Sequence, residues 1–181
     1  MQLSYPSEPL IDDGVRIRPW RTPEDLPCVL AAGSDPDIPA GTTVPADFTE
    51  ASGRAFLERQ QARLTRGEGI SQAVAERDSD EAVGLVYLAR RPQSWIAGLG
   101  YWLIPSARGR HLATSAVRLV SDWALRELDI LRIEAWVAPD NVASQRVLDG
   151  AGFSLEGRLR NFLQLRDRTT DGLVYARTPP D

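Results

Sequence analysis

Residues 107–114 read Ala-Arg-Gly-Arg-His-Leu-Ala-Thr, a glycine-containing turn with two arginines. When such a turn opens a helix, the first backbone N–H groups lack intrahelical partners and the helix dipole adds positive potential, so the turn attracts an anion. Arg108 and Arg110 add full charges suited to phosphate oxygens. An exposed basic loop ahead of a helix would look the same in isolation. The flanks favour the anion reading, because Gly98–Ile104 has the pattern of a strand stopped by Pro105. Beyond the turn, Leu112, Ala113, Ala116, Val117, Val120, Trp123 and Ala124 recur at the spacing of an amphipathic helix. The turn lacks both the Gly-Lys-Ser/Thr ending of an ATP-type loop and the G-x-G-x-x-G dinucleotide fingerprint. Strand, proline, basic glycine turn and helix together predict a pyrophosphate cradle.

The elements around this cradle follow from pattern and punctuation. Val15–Trp20 alternates and reads as the first strand, after a lead-in that ends in the Asp12-Asp13-Gly14 turn. Thr22-Pro23-Glu24-Asp25 predicts a helix start, with Thr22 as N-cap and Pro23 in the first turn, running to Ala32–Gly33. Residues 34–45 hold three prolines and read as a loop or broken helix that could overhang a site. Asp47-Phe48-Thr49-Glu50 resembles a capping box, opening a helix that ends near Arg66–Gly67 and buries Phe56, Leu57 and Leu64. Ile70–Glu76 and Ala82–Ala89 predict two antiparallel strands across a polar turn, and Trp95–Ile104 the next strand. Gly98 and Gly100 hint at a bulge or a close backbone approach there. Leu131–Val137 is a further strand, Asp140-Asn141 opens a short helix ending at Gly150, and Phe153–Leu155 and Asn161–Tyr175 complete the set, with a hairpin around Arg166-Asp167-Arg168. The expectation is α/β (α+β): one mostly antiparallel mixed sheet with helices on both faces, in a single domain spanning residues 1–181 with its core at about 15–176.

Composition narrows the function classes. The 181 residues are 43% hydrophobic and 25% charged, as in an ordinary soluble globular chain. A net charge of −4 argues against a nucleic-acid or membrane-surface partner. All 21 basic residues are arginine, which removes lysine as a base or Schiff-base former. One cysteine, Cys28, and one histidine exclude a disulfide framework and a structural zinc site, so no metal is expected. Met1–Pro6 lacks the basic start and apolar centre of a signal peptide, and a cytoplasmic location is expected. Trp95, Trp102, Trp123 and Trp136 are expected in the core, as is Trp20, and Cys28 is read as packing.

Two stretches taken together, Gly100–Pro105 with Arg108–Thr114 and Asn141–Ser144 with Gly150–Phe153, resemble the GNAT acyltransferases. The similarity is closest to their RimJ/RimL-like branch, the ribosomal-protein N-terminal acetyltransferases. Ile17-Arg18-Pro19-Trp20 and Arg132-Ile133-Glu134-Ala135 also suit that branch, so the resemblance spans about residues 15–176. The family pattern Gln/Arg-x-x-Gly-x-Gly/Ala places Arg108 first and Ala113 last. His111 stands where the family has glycine, which bears on how closely the backbone approaches the pyrophosphate.

The resemblance implies a GNAT-like fold with splayed fourth and fifth strands, acetyl-CoA as co-substrate and acetyl transfer to a primary amine, on a small molecule or a protein N-terminus. It implies that the pantetheine arm pairs with the backbone of Leu103 and Ile104. The amides of Arg108, Gly109, Arg110, His111, Leu112, Ala113 and Thr114 would then hold the pyrophosphate. Many members carry a tyrosine seven residues after the asparagine as thiolate partner, but this chain has Leu148 there. The branch carries a serine three residues after the asparagine instead, which is Ser144. Asn141 and Ser144 fall on one helix face and can both address the thioester; the plainer reading makes Asn141 a helix cap and Ser144 a surface residue. Glu134 is the leading base candidate, against a salt bridge with Arg132 or Arg118, and a water relay with no dedicated base is the third option. The other function readings are a non-catalytic acyl-CoA-binding sensor and an acyltransferase using another donor such as succinyl-CoA. The sequence leaves oligomeric state, a homodimer included, open.

Overall fold

The structure, a computed structural model, describes residues 3–12, 14–46, 49–166 and 168–179. Its strands are Leu10–Ile11 (β1), Val15–Arg18 (β2), Gly69–Glu76 (β3), Ala82–Arg90 (β4), Ile96–Leu103 (β5), Arg132–Val137 (β6), Ser154–Gln164 (β7) and Thr169–Arg177 (β8). They form one sheet in the order β1-β2-β3-β4-β5-β6-β8-β7. Neighbours run antiparallel except β5 and β6, which are parallel. The helices are Leu26–Gly33 (α1), Ile38–Gly41 (α2), Glu50–Ala62 (α3), Leu112–Glu127 (α4) and Val142–Gly150 (α5). The mixed architecture is the expected one.

Strand alternation divides the core between the two faces. Ala97, Leu99 and Leu103 of β5 join Ala116, Val117 and Val120 of α4 and Leu148 of α5 on one face. Trp102 joins Trp20, Val29 of α1, Ile38 of α2 and Phe56 of α3 on the other. Helices therefore cover both faces, as predicted. Among the described residues no helix is long and apolar enough to cross a membrane.

Several local expectations need correction. The first helix begins at Leu26 rather than in the Thr22-Pro23 turn, with Asp25 at the N-cap position. The Asp25 carboxylate is taken by the Arg18 guanidinium (2.8 Å to each oxygen) and by the Arg21 N–H (2.7 Å), which fixes the chain in a turn before the helix can start. Residues 34–45 are a broken helix: α2 is one turn held inside the proline-rich segment. Asp47 and Phe48 of the predicted capping box lie outside the described residues, and the box is made by Thr49 and Ser52. The third helix stops at Ala62, and successive turns carry the chain to Gly67, at φ +69°. Residues 154–164 form one continuous strand with register shifts, where two separate stretches were expected. The turn residue Asp167 lies outside the described residues. Trp95 is 52% exposed, against the core expectation, whereas Trp20, Trp102 and Trp123 are buried. Cys28 is a buried free thiol whose titration burial pushes up.

The Arg18–Asp25 pair locks β2 to the start of α1 and, through the Arg18 Nε contact to Asp80 (3.1 Å), to the β3–β4 turn. Both members are nearly inaccessible, 3% and 2% by side chain. Removing one partner leaves a buried charge, so Asp25→Ala is expected to cost about 3 kcal/mol or more in urea unfolding. Asp80→Ala, at a more exposed position, should cost under about 1 kcal/mol. Equal losses in the two variants would contradict this account.

Candidate active site

The register of β5 builds the site. Its pairing with β6 is confined to Ile96↔Arg132, Ala97↔Ile133 and Gly98↔Glu134. Beyond that rung β5 runs on to Leu103 while β6 continues alongside β8, so the two strands part. This is the splay between the fourth and fifth main strands that the family resemblance implies. Ile104 N–H donates to Val83 O (2.9 Å), so that rung is a hydrogen-bonded one. Peptide groups alternate edges along a strand. Those of Leu99, Tyr101 and Leu103 therefore turn away from β4 into the gap. Of the two residues expected to meet pantetheine, Leu103 offers its N–H to the gap and Ile104 spends its N–H on the sheet.

The basic turn stands at the mouth of this gap. One 3₁₀ turn, Pro105–Ala107, follows β5 and delivers Arg108, Gly109, Arg110 and His111 to the start of α4. Gly109 and His111 both adopt left-handed conformations, at φ +73° and +60°. The family's usual glycine at position 111 has a physical reason, because the chain must take a left-handed step there to enter the helix. Histidine takes the same step at a steric cost. No side chain caps α4, and Ser115 N–H is the first to bond within it, to His111 O (3.1 Å). The amides of Gly109, Arg110, His111, Leu112, Ala113 and Thr114 have no partner among the described residues. The two arginines are engaged by protein. The Arg108 guanidinium donates to Leu103 O (3.2 Å) and pairs with Asp35 (3.0 Å), while Arg110 pairs with Glu76. Burial alone would raise the Asp35 carboxyl, but Arg108 and the Ile38 and Asp37 amides hold it below its ordinary value. The loop before α2 is thus tied to the basic turn.

Across the gap lies α5. Asn141 caps it, its Oδ1 accepting from Ser144 N–H (3.0 Å). Ser144 Oγ lies 2.7 Å from the Tyr101 hydroxyl, which also donates to Ser144 O (3.0 Å). Tyr101 reaches from β5 over the splay to α5. Burial, opposed by its Ser144 bond, raises its titration to about 12, so it stays protonated at neutral pH. Leu148, where many relatives of this fold carry a tyrosine, is wholly buried in the core. Tyr101 was not singled out from the sequence. The signal was there in parity: it shares a face with Leu99 and Leu103, the face that α5 covers.

Glu134 sits at the last β5–β6 rung, on the opposite face. Arg132 Nε donates to its Oε1 (2.7 Å) and also binds Glu156, so the salt bridge weighed for Glu134 is present, with Arg132 as partner. Both carboxylates hold the Arg132 guanidinium above its ordinary value, Glu156 most. On that same face residues 39–46 and Gln164–Arg166 line an open groove of about 650 Å³, bridged at one point by Arg166 N–H donating to Ala40 O (3.1 Å).

A splayed sheet, an uncapped basic helix entry and a hydroxyl pair thus meet at the gap between β5 and β6. Residues 15–154 match the family model described as an acetyltransferase (GNAT) domain, and the chain belongs to that family. It is 35% identical over 136 residues to a probable N-acetyltransferase, YjcK, of Bacillus subtilis, covering 74% of this chain and 75% of that protein. It is 30% identical over 99 residues to the ribosomal-protein-serine acetyltransferase of Escherichia coli, covering 54% and 55%. The solved ribosomal-protein α-N-acetyltransferase RimL, in complex with coenzyme A, superposes with a TM-score of 0.82 at 21% identity, over 94% of this chain and 98% of that one. Acetyl transfer to an amine is the general reaction of the family.

The left-handed step at position 111 has a measurable consequence. His111→Gly is expected to be more stable than His111→Ala by about 1 kcal/mol in thermal or urea unfolding. Indistinguishable variants would show that the entry to α4 is not strained.

Proposed function

We propose that the protein is an acetyl-CoA-dependent N-acetyltransferase in which Ser144, backed by Tyr101, protonates the departing thiolate. The observation that carries this reading is the Tyr101–Ser144 hydroxyl pair, 2.7 Å apart across the mouth of the splay. The unpartnered amides from Gly109 to Thr114 suit the pyrophosphate, with Arg108 and Arg110 framing them and the peptide edge of Leu103 offered to pantetheine. Asn141 presents its amide beside Ser144 at the same helix start. The acceptor is a primary amine, on a protein N-terminus or a small molecule; the ribosomal-protein acetyltransferases among the relatives support the first.

The chemistry balances with these groups. The neutral amine attacks the thioester carbon, and its oxygen becomes an oxyanion facing the gap, where the amides of Leu99 and Tyr101 point. Collapse re-forms the carbonyl and breaks the C–S bond. The thiolate takes the Ser144 hydroxyl proton, which Tyr101 replaces and regains through solvent. The amine's proton leaves through water or through Glu134, one of whose carboxylate oxygens Arg132 holds. An α-amine with a pKa of about 7.7–8.0 is partly neutral already, so this step asks little of a base.

Free coenzyme A released from acetyl-CoA over a panel of amines and N-terminal peptides tests the reading. Ser144→Ala is expected to lower kcat about a hundredfold with unchanged acetyl-CoA affinity. Tyr101→Phe should cost on the order of tenfold by letting the serine drift. A parent that binds acetyl-CoA but releases no coenzyme A with any amine would instead be a sensor. Equal rates in Ser144→Ala and parent would exclude the serine.

A further inference from the structure

The face of the sheet opposite α4 and α5 carries an arginine with no ion pair among the described residues. Arg91 forms no ion pair or hydrogen bond with the described residues, and its Nε is buried without a partner. Its guanidinium carbon lies 3.8 Å from the centre of the Trp136 ring, which stands edge-on to Phe162 at 4.7 Å. The guanidinium also lies over bare backbone: a Cβ at Gly98 would come within 2.9 Å of its Nε and Nη2. Gly98 is the rung at which β5 and β6 part. Gly100, the next residue facing the same way, looks onto open space, with no atom within 4 Å of an added Cβ. The Tyr87 hydroxyl, opposite Gly100 in register, is already spent on Glu68 O (2.8 Å).

We propose that Arg91 holds a carboxylate of the acceptor, so that the enzyme prefers amines whose molecule also bears an acid group. The inference rests on the acetyltransferase reading and adds a substrate class to it. The Trp136 contact and the bare backbone at Gly98 hold the guanidinium in place, and a guanidinium offers paired N–H groups in the geometry that a planar carboxylate accepts. The acids nearest this spot, Glu134 and Glu156, are both hydrogen-bonded to Arg132 rather than to Arg91. Arg91 therefore has no directly bonded acid among the described residues, and its partly desolvated donors gain from an anionic ligand. A phosphate would call for a second free cation, and the neighbouring Arg63 is committed to Glu68 and the Tyr87 hydroxyl. From Gly98 to Gly100 the strand advances about 7 Å. That is about two residues of extended chain, the reach of a peptide N-terminus with an acidic second residue.

Titration calorimetry on the protein saturated with coenzyme A tests the proposal with product-like probes. One pair is N-acetylglycine against N-acetylglycinamide, for a free α-carboxylate. The other is N-acetyl-Ala-Asp-amide against N-acetyl-Ala-Asn-amide, for a side-chain carboxylate. At least one acid should bind about tenfold or more tighter than its amide, and the pair that shows it identifies the source. Arg91→Gln should abolish that preference while leaving coenzyme A affinity unchanged. Gly98→Ala should weaken it too, by pushing the guanidinium off its bed; only the end of a flexible side chain has to give way, so folding is spared. Equal affinities within both pairs, a preference that survives Arg91→Gln, or tighter binding of N-acetyl-O-phosphoethanolamine than of either acid would overturn it. Amine-dependent coenzyme A release by the parent, measured alongside, separates failure of this inference from failure of the acetyltransferase reading.

Discussion

Beyond the Gly98–Glu134 rung, β5 has a backbone edge with no strand beside it, in the middle of a sheet whose other rungs are filled. A buried peptide edge is costly to leave unpaired. The fold copes with this edge in three ways. The Arg108 guanidinium takes Leu103 O, the Tyr101 side chain crosses the gap to α5, and the remaining amides stay open at the mouth. An extended ligand that pairs with such an edge gains main-chain hydrogen bonds that no side-chain pocket need supply. The pantetheine arm proposed for this edge would be such a ligand, and its binding would complete the sheet rather than perturb it.

The rest of the site is hung from this edge. Because β5 ends at Leu103 and a single 3₁₀ turn follows, the entry of α4 has to sit at the mouth of the gap, and its free amides face what enters. Arg108 then does more than contribute charge. By binding Leu103 O and Asp35 together, it fixes the basic turn to the strand and to the proline-rich segment over the opposite face. Asp35 is nearly inaccessible, 3% by side chain, so this tie acts as an anchor and not as a surface ornament. A side chain expected from the sequence to meet phosphate is thus at least partly engaged in holding the turn's shape.

What was legible in the sequence and what was not divide along a physical line. The basic turn, its helix, the flanking strands and the Asn141 cap depend on contacts within a few residues, so local pattern found them. The Thr22 cap failed because Asp25 is claimed by Arg18, a partner on another element. The long β7 strand was missed because nearly all of it is exposed, which removes the alternation that marks a half-buried strand. Trp95 defeated a composition-based expectation by lying just ahead of the strand, where its backbone matters more than its ring: Trp95 O accepts from Leu131 and Arg132 N–H. Tyr101 and Arg91 are meaningful only through residues far off in the chain, Ser144 and Trp136. Neither pairing could be read without the register of β5.

That register also sorts the candidate site between two faces. Odd-numbered residues of β5 face α4 and α5, the side on which Tyr101 meets Ser144 beside the Asn141 cap. Even-numbered ones face α1–α3, and two of them, Gly98 and Gly100, carry no side chain. Glycine in a strand weakens packing and needs a reason. At Gly98 the reason is that a guanidinium lies where a Cβ would be, and at Gly100 it is open space. On the α4–α5 side the strand carries Leu99, Tyr101 and Leu103, whereas on the other the Arg91 guanidinium covers Gly98 and Gly100 is open. On the reading proposed above, a nucleophile would enter over Gly100, on the face opposite Ser144, and the thiolate would leave on the Ser144 side.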